Sequence, residues 1–103
     1  MSIQRMIDFE TTTNDAAEKI SAAVQSAFRV LSEAKPKGVR LAYWRVPSSR
    51  RFMALIELAD EQINPLMDIE ATRTLPALIS NYVEGGYPRP ETVERVAAYG
   101  FDL

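Results

Sequence analysis

The strongest constraint on this chain lies at its middle. Two apolar runs, residues 39–46 and 51–59, flank the tetrad Pro47-Ser48-Ser49-Arg50. Both runs are rich in β-branched, aromatic and aliphatic residues, and the tetrad has turn chemistry, so the segment reads as a β-hairpin. Setting Val46 opposite Arg51 fixes the register. One face then pairs Trp44 with Met53, Ala42 with Leu55 and Arg40 with Glu57. The other pairs Arg45 with Phe52, Tyr43 with Ala54, Leu41 with Ile56 and Val39 with Leu58. An opposite-charge pair directly across a ladder, worth roughly 0.2–1 kcal/mol, supports this register. Both faces are largely apolar, which limits what the rest of the chain can do. The Tyr43 face can pack on helices. The Trp44 face would stay wet in a monomer, and an exposed patch of this kind marks an interface or a ligand site.

The flanking segments supply the other elements. Residues 3–12 alternate, with Ile3, Ile7 and Phe9 on one face together with Arg5, and Gln4, Met6, Asp8 and Glu10 on the other. That period of two predicts a strand. Residues 15–34 predict a helix: Asp15 and Glu18 have capping-box spacing, and Ile20, Val24, Ala27, Phe28 and Leu31 form one apolar stripe. Lys35-Pro36-Lys37-Gly38 stops it. Residues 64–84 predict a second helical region opened by Asn64-Pro65. Pro76 would cost about 3 kcal/mol inside a continuous helix, so a break is expected near Thr74-Leu75. Gly85-Gly86 ends that region, and Tyr87-Pro88-Arg89-Pro90 is an extended connector. Residues 91–101 alternate again and read as a strand, with a helix from Pro90 as the competing reading.

Composition removes several chemistries. The 103 residues contain no Cys and no His, which excludes disulfides, thiolate nucleophiles, imidazole catalysis and the common zinc sites. The scattered glycines form no phosphate loop, and no carboxylate spacing suggests a calcium loop. No cofactor and no metal are therefore expected. With 47% apolar and 25% charged residues the chain reads as one ordinary globular domain. It shows no signal-peptide core and no membrane-length apolar run, so a cytoplasmic protein without a membrane partner is expected. Residues 34–56 hold six basic residues and no acidic one, whereas residues 57–94 are strongly acidic. These are either solvated faces or complementary patches that meet a second copy of the chain or an anionic ligand. The net charge of −2 argues against nucleic acid.

The order βαββαβ predicts an α+β, ferredoxin-like fold: one four-stranded antiparallel sheet with the helices on one face. That order, the length near 100, the broken second helix at Leu75-Pro76-Ala77-Leu78 and the closing strand after Pro88-Arg89-Pro90 resemble the dimeric α+β barrel superfamily. Its nearest branch is the antibiotic biosynthesis monooxygenase-like domains. The resemblance implies that two sheets close a barrel at a homodimer interface. It also implies a pocket for a small apolar or aromatic molecule, either between sheet and helices or inside the barrel. Some members of that superfamily are cofactor-independent monooxygenases. The absence of histidine sets this chain apart from the haem-degrading members.

The candidate ligand-binding residues are Arg40, Trp44, Met53 and Glu57, which share the Trp44 face of the hairpin. Trp44 reads first as a dimer-core residue, and Arg40 with Glu57 first as a structural cross-strand pair. Asp8 is the candidate proton acceptor. A carboxylate on an enclosed strand must be paired or have a raised pKa, and Arg95 is a plausible partner. Tyr87, in the connector, is expected to matter less than Trp44. Two functions fit: an enzyme of the cofactor-free monooxygenase or isomerase type, and a non-catalytic dimer that binds a small molecule or a protein.

Overall fold

A computed structural model describes residues 2–101. The order is β1 (Ile3–Glu10), α1 (Asn14–Ala34), β2 (Val39–Arg45), β3 (Arg51–Leu58), a 3-10 turn (Pro65–Asp68), α2 (Glu70–Arg73), α3 (Leu75–Ser80) and β4 (Glu91–Val93). The strands form one antiparallel sheet in the order β2-β3-β1-β4, with β3 and β1 at its centre. This is the ferredoxin-like α+β arrangement. The hairpin register is the one expected: Arg40 faces Glu57, Ala42 faces Leu55 and Trp44 faces Met53. The Val46 N–H closes the turn on the Arg51 carbonyl at 3.1 Å.

Alternation along β1 and β3 determines which side chains enter the core. Ile7 and Phe9 of β1 meet Phe52 and Ala54 of β3, and the Phe9 and Phe52 rings stack at 5.2 Å between centroids. Ala17, Ile20, Val24 and Ala27 of α1 and Leu75 and Ile79 of α3 complete the buried cluster. The helices therefore cover one sheet face, called inner here. The outer face, with Met6, Trp44 and Val46, is exposed.

Three boundaries differ from expectation, each for a physical reason. The cap of α1 is Thr13, not Asp15. Thr13 is extended (φ −143°, ψ 165°), and its Oγ1 accepts the Ala16 N–H at 3.0 Å, which satisfies one of the helix's free donors. Glu18, the expected far half of a capping box, instead reaches Arg45 of β2 at 2.7 Å. Replacing Thr13 with Ala should cost about 1 kcal/mol, measured as a lower urea midpoint with an unchanged slope. A loss near zero would mean that Thr13 does not cap the helix.

The second helical region is shorter and more broken than the sequence suggests. The break at Thr74 before Pro76 is present. A second break falls at Ile69, which is extended between the 3-10 turn and α2. The buried Thr72 hydroxyl bridges it by donating to the carbonyls of Leu66 (2.7 Å) and Ile69 (3.1 Å). α3 then stops at Ser80, and residues 81–86 form turns around Val83, which makes a β-bridge to Thr11.

The largest departure is at β4, which spans three residues where eleven were expected. Its ladder to β1 pairs Met6 with Glu91, Arg5 with Thr92 and Gln4 with Val93. Since β1 begins at Ile3, one rung beyond Gln4, the alternating sequence after Val93 has almost no strand left to pair with. Residues 94–101 are neither strand nor helix. No helix is long and apolar enough to cross a membrane among the described residues.

Candidate functional site

The sheet carries a concavity on each face. The outer one, about 570 Å³, is an open groove. Its floor is Arg40, Ala42 and Trp44 of β2 with Leu55 and Glu57 of β3. After β4 the chain crosses this face, so that Arg95, Ala97, Ala98 and Phe101 form the opposite wall. The tail has little cover of its own: Val96 is 94% exposed, Tyr99 96% and Phe101 73%.

Three of the four residues expected to bind a ligand, Arg40, Trp44 and Glu57, line this groove; Met53 stands beside Trp44 in the ladder but is not part of the wall. The polar end is tied up internally. Arg40 pairs with Glu57, and Gln4 Nε2 donates to the other Glu57 oxygen at 2.6 Å. The bond from Gln4 holds the Glu57 carboxyl below its ordinary 4.5; Arg40 and Arg95 act in the same sense, against desolvation. A depressed carboxyl contributes stability above its ordinary pKa and loses that contribution as pH falls through its folded value. Glu57→Gln should therefore flatten the acid limb of the stability profile below about pH 4.5, read by urea unfolding across that range. Parallel profiles for the two proteins would contradict the assigned contacts.

Asp8 also lies on the outer face, half exposed and outside both concavities. Its partner is Arg51, not Arg95. The Arg51 Nη2 and Nε atoms donate to Oδ2 at 2.8 Å and to Oδ1 at 3.3 Å. This fork lowers the Asp8 pKa, chiefly through the hydrogen bonds. A carboxylate held ionised by a bidentate arginine is a weak base. Two further ion pairs join Arg45 to Glu18 and Arg50 to Glu10. Four of the six basic residues in 34–56 thus have acidic partners within the chain, of which only Glu57 lies in the acidic stretch 57–94.

The inner concavity is smaller, about 190 Å³, and lies between the sheet and the short helices. Ile7, Leu41, Ala54, Ile56, Leu66 and Leu75 make it apolar. Arg5 of β1, Tyr43 of β2, Asn64 and Tyr87 bring polar groups to the same space. Burial pushes the Tyr43 phenol well above its ordinary value, and the nearness of Tyr87 adds to this. Burial also raises Tyr87. The Tyr43 ring is held edge-on against Phe28 of α1, 6.1 Å between centroids. The connector expected to be peripheral therefore carries Tyr87 into a pocket wall. The one sequence signal for this site is Arg5, a cation in the apolar register of β1.

No protein-family profile and no curated protein sequence matches the chain. Solved structures do match in fold. A candidate antibiotic biosynthesis monooxygenase of Bordetella bronchiseptica superimposes with a TM-score of 0.64 at 14% identity, over 93% of this chain and 98% of that one. A dimeric ferredoxin-like protein of unknown function from Jannaschia sp. gives 0.69 at 12% identity, over 92% and 100%. A protein of unknown function from Nitrosomonas europaea gives 0.67 at 19% identity, over 99% and 96%. At these identities the likeness establishes the fold, the same fold that the element order and the broken second helix suggested.

Proposed function

We propose that the chain works as a homodimer, joined through the outer sheet face, that holds a small organic molecule in the inner pocket of each protomer. The observation that carries this reading is the unequal treatment of a sheet apolar on both sides. The helices cover the inner face but leave an apolar pocket into which a few polar groups converge, the usual make-up of a small-molecule site. The outer face has no helix over it, only the crossing tail, and it presents Trp44, Met53 and Leu55, large apolar side chains suited to a dimer core. The tail adds Phe101 to the same surface. The descriptions of two fold neighbours as dimeric support the assembly. On this reading Arg40, Trp44, Met53 and Glu57 belong to the interface, and the ligand lies on the other side of the sheet.

Oxygenation of the bound molecule without a cofactor is a second reading, favoured by the two fold neighbours described as candidate antibiotic biosynthesis monooxygenases. It requires a substrate that itself gives electrons to oxygen and a proton acceptor beside it. Asp8 is on the wrong face and is held ionised by Arg51, so binding is the function that the geometry supports best.

The test is titration of methyl-labelled protein with small neutral arenes such as phenol and indole, followed by NMR. Shifts should concentrate on Ile7, Ala54, Ile56 and Leu75. Shifts confined to Ala42, Met53 and Leu55 would transfer the site to the outer groove, and none at millimolar arene would overturn the reading.

A further inference from the structure

We infer that the inner pocket selects small organic anions, a carboxylate on a ring or short chain, with Arg5 as the counter-charge. This rests on the reading of that pocket as the ligand site.

Arg5 stands apart from the arginines of the β2–β3 hairpin. Arg40, Arg45, Arg50 and Arg51 each have a carboxylate partner. Among the described residues Arg5 makes no ion pair, although it sits mid-strand, between Ile56 of β3 and Thr92 of β4. It is partly buried on the helix-covered face, and no Asp or Glu lines its pocket. A cation facing an apolar wall without a partner is costly, and an entering anion offsets that cost.

The other polar groups favour the same sign. Tyr43 and Tyr87 are protonated at neutral pH like any tyrosine, so each offers an O–H to the pocket they line. Asn64 accepts the Leu66 N–H through Oδ1 at 3.0 Å, which leaves its amide N–H groups free to donate. The Thr72 hydroxyl is already committed to the Leu66 and Ile69 carbonyls. The pocket thus offers a guanidinium, two phenols and an amide as donors, and no carboxylate. Guanidinium and carboxylate match as a two-bond fork. The volume of about 190 Å³ equals the share of roughly six waters and is below the range of about 300–1,000 Å³ typical of drug-sized ligands. One ring or a short chain fits.

The experiment compares acids with their neutral amides: benzoate with benzamide, and hexanoate with hexanamide, on the full chain by NMR titration. The wild-type protein should bind each acid roughly ten- to a hundredfold more tightly than its amide. Arg5→Met should abolish that preference by weakening the acids far more than the amides, since only the acids lose an ion pair. Tyr43→Phe should reduce the preference by a smaller factor. Equal wild-type affinities for acid and amide at the inner-face methyls would overturn the anion assignment and leave the pocket reading standing. This comparison needs no variant, so it decides the matter even if Arg5→Met does not fold. No binding of any of the four at those methyls would overturn both.

Discussion

Replacing Ile79 with Ala should lower the free energy of unfolding by about 2–5 kcal/mol, the usual range for a fully buried Ile. Ile79 is completely buried and lies where α3 meets the cluster of β1, β3 and α1. α3 has only six residues, too few to be helical by itself, so tertiary packing must hold it. Truncation removes three carbons from its anchor and leaves a cavity beneath a helix with few other attachments. A domain of this size has about 5–15 kcal/mol in total, so the loss is a large share of it. The thermal midpoint should fall by at least roughly 8 °C, measured at fixed protein concentration because a dimer's midpoint depends on it. Met67→Ala is the control: Met67 is exposed, and its effect should stay within about 0.5 kcal/mol. A drop for Ile79→Ala no larger than the control's would mean that α3 does not pack on the sheet as described.

Trp44→Ala should weaken self-association by about 2 kcal/mol or more, roughly thirtyfold in the dissociation constant. Trp44 is 49% exposed on the outer face, next to Met53 in the ladder and across the groove from the tail. A large, half-exposed aromatic on an apolar face is the residue type that interfaces rely on most. Its truncation should cost the monomer less than Ile79→Ala does, since only about half of the side chain is buried within one chain. Tyr87→Ala separates the two faces: it should reduce ligand binding at the inner pocket and leave the dimer intact. Dissociation constants from sedimentation equilibrium check the first effect, and the arene titration checks the second. Equal losses of association for the two variants would contradict the division of the sheet into an interface side and a ligand side.

The hairpin was fully legible in the sequence, because alternation, a polar turn and the Arg40–Glu57 pair all point to one register. The break before Pro76 was legible for a similar reason: proline's effect on a helix is local and strong. The errors fell where tertiary contacts decide. The cap moved to Thr13 because strand β1 delivers the chain there in extended form. The strand expected over residues 91–101 is short because its length depends on where β1 begins, and periodicity contains no such information.

The candidate site was legible only in part. The outer-face residues stood out because a two-sided apolar hairpin is visible in a linear pattern. The inner pocket is assembled from Arg5, Tyr43, Asn64 and Tyr87, which lie on four separate segments. Nothing local joins them, and only the charge of Arg5 in an apolar register hinted at the place. Asp8 drew attention as a carboxylate on a central strand, but its neighbour Arg51 lies across the ladder, beside Met53.

On the proposed reading a second copy of the chain covers the outer face. Sedimentation velocity of the wild-type protein at micromolar concentration tests it most directly. The expected species has twice the chain mass of 11.6 kDa, and its interface should bury about 2,000 Å² or more, as obligate dimers do. It should dissociate measurably in the Trp44→Ala variant. A single monomeric species at that concentration would contradict the account and leave Trp44 and the tail without a partner.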